Sequence, residues 1–286
     1  MPVYLKIGVF LALLACPQLC LAQSMVNDMV NVAGRQRLLA QRMAAQACYI
    51  TAGIEAAQMQ AALKHDMILF EDSLENLLNG NEALGWPATQ NPPVRSTLMR
   101  SKKMWEGMQR MLALPSEGTA MRPASLGALS SAADELTEVS NLATSALEQS
   151  MVMASANPLT TQLVNIAGRQ RMLLKRMEKG LCMLSLDLKS EMHRSQLIET
   201  LDEFDRASFA LAFTHPDFRI PAPPTPEIEL STELLFSNWV RIMPEFEWAA
   251  TQEGTIADEI LIEVAQTGAW MLENQNELVN LYARLD

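Results

Sequence analysis

The chain has 286 residues and 31.7 kDa, of which 49% are apolar, 19% charged and 6% aromatic. A formal charge of −11 and a pI near 4.9 argue against nucleic acid or an anionic lipid surface as partner. The apolar content is too high for a disordered chain, and nineteen Met beside few aromatics suit helical packing better than a β-sandwich.

From the N-terminus, residues 1–22 carry Lys6, an apolar stretch from Ile7 to Ala15, and small residues at Cys20 and Ala22. This reads as a secretory signal peptide cut after Ala22. Leu13-Leu14-Ala15-Cys16 resembles a lipoprotein box, so lipid attachment at Cys16 is the alternative. No other apolar run reaches about 18 residues. The mature chain is therefore expected in the periplasm without a transmembrane span. It would keep Cys48 and Cys182, in a compartment where a disulfide persists.

Apolar spacing predicts helices over 25–63, 65–79, 95–113 and 124–155, then 159–188, 190–213, 229–249 and 255–285. The expected breaks in the first half are Lys64-His65-Asp66, Gly85 through Pro93, and Leu114 through Gly118. In the second half they are Thr214-His215-Pro216, Pro221 through Pro226, and Glu253-Gly254-Thr255. Asn157-Pro158 reads as a helix cap followed by proline at the first helical position. No stretch alternates convincingly with period two.

These two halves are copies. Asn31-Val-Ala-Gly-Arg-Gln-Arg-Leu-Leu-Ala-Gln-Arg-Met43 recurs as Asn165-Ile-Ala-Gly-Arg-Gln-Arg-Met-Leu-Leu-Lys-Arg-Met177, with nine of thirteen positions identical at an offset of 134. The same offset pairs Phe70 with Phe204, Pro92 with Pro226, Trp105 with Trp239 and Cys48 with Cys182. The expected fold is all-α: two tandem antiparallel four-helix bundles related by an internal duplication and joined by a near-continuous helix. The expected domains are residues 23–156 and 157–286, after the 1–22 leader.

The repeated motif holds Arg35, Arg37, Arg42, Arg169, Arg171, Lys175 and Arg176 and no acid, inside an acidic protein. Cations gathered without carboxylates invite an anion, because a guanidinium is a permanent charge whose planar fork suits oxyanions. At about 100° per residue, Arg35 and Arg42 share a face with Asn31 and Leu38. Arg37 points the other way, in line with Val30, Gln41, Ala44 and Cys48, a heptad seam; the second copy offers Val164, Arg171, Lys175, Glu178 and Cys182.

The motif Asn-x-Ala-Gly-Arg-Gln-Arg-x-Leu-x-x-Arg-Met, opening a long helix, resembles the PilJ-type, NarX-like sensor domain. That domain is the periplasmic input module of nitrate-sensing kinases and of type IV pilus chemotaxis transducers. The resemblance implies a four-helix bundle that pairs through its first helix, with an anion on the two-fold axis. Matched by motif position, the ligand residues are Arg37 and Arg171, accompanied by Gly34, Gly168, Gln41 and Lys175, with Arg42 and Arg176 in support. Ala40, Leu174 and Lys175 depart from the usual pattern.

Two fused copies can form within one chain the interface that two subunits form elsewhere. Arg37 and Arg171 would then face each other across a pseudo-two-fold axis. Cys48 and Cys182 occupy equivalent places on those helices and could bridge, or remain small buried thiols. Arg35 and Arg169, on a separate face, read as solvated residues with salt-bridge partners.

Other chemistry has little support. Met104, Met108 and Met111 read as a core stripe, and His65, His193 and His215 lack companions at ligand spacing, so no metal or cofactor is expected. Phosphate loops, nucleophile elbows and zincin motifs are absent, so an enzyme is not expected. The function expected is a soluble periplasmic receptor for a small oxyanion, nitrate or nitrite first, read by a membrane sensor kinase or chemotaxis transducer. The alternative is an interaction module of pilus, chemotaxis or kinase machinery that binds no ligand.

Overall fold

The computed structural model describes residues 5–152, 158–188, 190–215, 217–251 and 256–285, with side chains from Met25 onward, Val26 and residues 151–158 excepted. The side chains of the expected 1–22 leader, the Asn157 cap, the join between the halves and the Glu253-Gly254-Thr255 break lie outside these described residues.

Eight α-helices follow one another: α1 (Leu5–Ala52), α2 (Ala56–Asn79), α3 (Pro92–Ser116), α4 (Pro123–Val152), α5 (Pro158–Ser185), α6 (Ser190–Phe213), α7 (Pro226–Thr251) and α8 (Asp258–Ala283). No strand forms among the described residues. The fold is all-α, two antiparallel four-helix bundles with α1 and α5 packed against each other at the centre. Among the described residues no helix is long and apolar enough to cross a membrane.

The first turn falls earlier than the sequence pattern suggests. Helix α1 ends at Ala52 rather than at residue 63, and Lys64-His65-Asp66 is the interior of α2. Gly53, at φ 78°, closes the helix: its N–H donates to Ile50 O, and the Ile54 N–H donates to Tyr49 O. These two bonds make a Schellman stop, which needs a left-handed residue. The second copy repeats it with Asp187 at φ 53°, bonded to Leu184 O, and Leu188 bonded to Met183 O. The charged triplet at 64–66 does not break α2, because Asp66 turns inward and is buried while Lys64 and His65 stay exposed.

Pro92 and Pro226 open helices rather than interrupt them. The side chain of Asn91 accepts from the Val94 N–H at 3.3 Å, and the Thr225 hydroxyl accepts from the Ile228 N–H at 3.3 Å. Each proline then stands at the first helical position, where its missing N–H costs nothing. Behind them lie matching cores: the Phe70 and Trp105 rings are 4.5 Å apart, and so are those of Phe204 and Trp239. All four rings are buried, each contributing roughly 2–3 kcal/mol by leaving water.

The bundles meet along a parallel, in-register seam. At one end the Thr161 hydroxyl donates to the Asn27 side chain at 3.2 Å; at the other, Cys48 and Cys182 form a disulfide with Cα atoms 6.1 Å apart. Both contacts join positions 134 residues apart, so the pseudo-two-fold axis runs along the two helices. About 31 Å of helix separates them, at 1.5 Å per residue.

Candidate functional site

Midway along the seam stand Arg37 and Arg171, exposed by 1% and 2%. Each guanidinium folds back over its own helix, Nε donating to the carbonyl three residues earlier: Arg37 to Gly34 at 3.3 Å, Arg171 to Gly168 at 3.4 Å. This explains the glycine in the motif. A Cβ on Gly34 would lie 2.9 Å from Nη2 of Arg37, so any side chain there would push the guanidinium out of this position.

The remaining nitrogens reach outward symmetrically. Nη1 of Arg37 donates to Asn141 on α4, and Nη1 of Arg171 donates to Asn276 on α8, both at 2.9 Å. Nη2 of Arg37 crosses to Asn165 at 2.9 Å, while Nη2 of Arg171 crosses to Asn31 at 2.8 Å. The motif asparagine of each copy therefore holds the motif arginine of the other. A Cβ on Gly168 would stand 3.3 Å from Nη2 of Arg171 and 4.0 Å from Nη2 of Arg37. The two nitrogens are no further apart than the sum of those distances.

All of these hydrogen-bond acceptors are neutral amides. Burial pushes both guanidinium groups below their ordinary values, helped in each case by neighbouring cations: to about 10 for Arg37, beside Arg169, and about 9 for Arg171, beside Arg35 and Arg37. Both stay charged at neutral pH. Glu148 acts on Arg37 electrostatically and accepts from Asn165 at 2.9 Å; burial raises its carboxyl, with Arg37 opposing. The centre is thus a buried pair of cations in an acidic protein, suited to attract a small anion.

The other expected site residues do not join this pair. Gln41 faces α4 and donates to Asp134 at 3.0 Å and Thr137 at 2.8 Å. Lys175 pairs with Glu178 on its own helix at 2.6 Å. Arg42 is bonded to Asp66, which also accepts from Gln46 at 2.8 Å, and Arg176 lies 3.9 Å from Asp134.

Sequence places Arg35 on a solvated face with a salt-bridge partner, and its packing is different. Arg169, its counterpart, pairs with Glu203. Arg35 forms no ion pair or hydrogen bond among the described residues, and its Nε is buried. With Asn31, Arg171 and Asn276 it lines a cavity of about 580 Å³ between α1, α2, α5 and α8. The sequence carried a trace of this: the position of Glu203 is Leu69 in the first copy.

Fold and site together define a two-repeat helical-bundle protein with a charged centre between its copies. The family model for the N-terminal domain of type IV pili methyl-accepting chemotaxis transducers, PilJ, matches residues 22–135 and again 151–260. The chain belongs to the PilJ family and carries its domain twice. It is accordingly a sensory module of the chemotaxis-transducer type, from a family of input domains and not of enzymes. No curated protein matches the chain.

Proposed function

We propose that this protein is a periplasmic receptor for a small oxyanion, nitrate or nitrite first, clamped on the pseudo-two-fold axis by Arg37 and Arg171. The observation that carries this reading is the pair of buried guanidinium groups facing each other with only amide acceptors around them. An anion between them would offset their mutual repulsion, and the energy gained depends on the geometry of the α1–α5 seam. Binding would thereby shift how the two bundles pack, and a membrane transducer or sensor kinase would read the change. Export through the 1–22 leader places the 23–156 and 157–286 domains in that compartment.

Titration calorimetry with nitrate, nitrite and chloride tests the clamp. One anion per chain is expected, lost in both Arg37→Ala and Arg171→Ala while circular dichroism stays helical. No heat from any oxyanion rejects the receptor reading.

A second reading, an interaction module, has one observation of its own. Exposed Phe209 and Phe213 of α6 cluster with half-buried Phe236 of α7, their ring centroids 5.3 to 5.9 Å apart. Their counterparts in the first copy are Glu75, Asn79 and Lys102, joined by polar contacts. An aromatic patch where the sister copy is charged favours protein contact. Phe213→Glu should then abolish co-purification with the cognate transducer and leave anion binding unchanged.

A further inference from the structure

The two flanks of the α1–α5 seam are equivalent by duplication but filled differently. On one flank, Lys179 Nζ lies 2.6 Å from Asp134 Oδ1, Gln196 donates to the other carboxylate oxygen at 3.4 Å, and Arg169 pairs with Glu203. On the opposite flank the positions of Lys179, Gln196 and Glu203 are Ala45, Ala62 and Leu69. Counted from the equivalence of Asn141 and Asn276, the position of Asp134 is Ala269. All four replacements line the 580 Å³ cavity.

Those four side chains are missing from the other flank, which carries the Lys175–Glu178 pair instead, and a cavity remains there. The same replacements deprive Arg35 of its acid, leaving an unpaired cation beside buried Arg171 at one end of the cavity. Toward the other end, Tyr49 is exposed by 1% and its hydroxyl makes no hydrogen bond with the protein. Leu38 and Leu272 form the wall between. Roughly 15 Å of helix separates Arg35 from Ala45, at 1.5 Å per residue. That length, and a volume in the range of small-molecule sites, far exceeds what a four-atom oxyanion occupies.

We propose that this one-sided cavity binds an elongated organic carboxylate. Its carboxylate group lies between Arg35 and Arg171, its carbon frame follows Leu38 and Leu272, and its far end reaches the space opened by Ala45, Ala62 and Ala269. The guanidinium fork recognises the carboxylate, and the wall excludes water from the frame. The site shares Arg171 with the axial clamp but uses Arg35 in place of Arg37, which does not line this cavity.

The test restores the filled flank. The intact protein is titrated with octanoate, suberate and 4-hydroxyphenylpropionate, following heat and melting temperature, with nitrate titrated separately. At least one carboxylate is expected to bind one per chain. Leu69→Glu, which gives Arg35 the acid that Arg169 has, should weaken it by about 30-fold or more, the scale of losing one partner of a buried charge contact. Ala45→Lys combined with Ala269→Asp should do the same by occupying the space, and Arg169→Ala on the filled flank should leave binding unchanged. If the double variant fails to fold, Leu69→Glu alone decides. Binding by none of the three carboxylates, or equal binding in Leu69→Glu, overturns the proposal. Nitrate heat retained in Leu69→Glu reports the axial site separately, so each reading can fail without the other.

Discussion

Arg37 of the first repeat is held by Asn165 of the second, Nη2 donating to the amide oxygen at 2.9 Å. The reciprocal contact from Arg171 to Asn31 adds a mutual dependence to the apolar packing of Val30, Ala44 and Val164 along the seam. Removing one acceptor leaves a buried cationic donor unsatisfied. Asn165→Ala should cost about 2 kcal/mol of stability, measured by urea denaturation. Asn165→Asp should instead supply Arg37 with a carboxylate and abolish oxyanion binding, while giving up the N–H that Asn165 donates to Glu148.

The Cys48–Cys182 disulfide closes a loop spanning 134 residues. Loop-closure entropy for that length corresponds to roughly 5 kcal/mol at room temperature. Reduction, or a Cys48→Ser, Cys182→Ser double variant, should lower the urea midpoint markedly while far-ultraviolet helicity below the transition is kept. Equal midpoints with and without reductant would show that packing of α1 on α5 suffices.

A side chain at Gly268 on α8 would have to displace Glu178. A Cβ there would collide with Oε1 of Glu178 and lie 2.9 Å from its Cδ, and that carboxylate is buried against Lys175. Gly268→Ala gains up to about 1 kcal/mol of helix propensity but must displace that ion pair, so a net loss of about 2 kcal/mol is expected. Gly107, with open space around it, is the control: Gly107→Ala should stabilise by about 1 kcal/mol.

Asp134 sets an acid dependence. Burial alone would raise its carboxyl, but Lys179 and Arg176, with the hydrogen bond from Gln41, outweigh burial and hold it below the ordinary value. A carboxyl lowered on folding stabilises the protein above its unfolded pKa, about 4, and that stability is lost as pH falls through the folded value. The urea midpoint should therefore drop on acidification from about pH 6 to about pH 3. Asp134→Asn should start lower and show a shallower drop; parallel curves would mean that the Asp134 network contributes nothing.

Much of this molecule is legible in the order of its residues. The offset between Arg37 and Arg171, and between Cys48 and Cys182, exposes the duplication, and period-3.6 apolar spacing exposes the helices. Equivalent places on one seam follow from those two facts, because a helix fixes direction by counting. The first turn was obscured because charge at Lys64-His65-Asp66 looks like a break, whereas the stop depends on one left-handed residue at Gly53.

Packing alone distinguished the flanks. Whether Arg35 meets an acid depends on a residue 34 positions away on α2, and whether Ala45 faces open space depends on Ala269, on the last helix of the other copy. Periodicity along one helix cannot report such pairings, since they arise only where separate helices come within side-chain reach. The linear pattern thus fixes a symmetric, duplicated bundle with arginines on its seam. The asymmetry that opens a cavity on one side comes from which side chains meet across it.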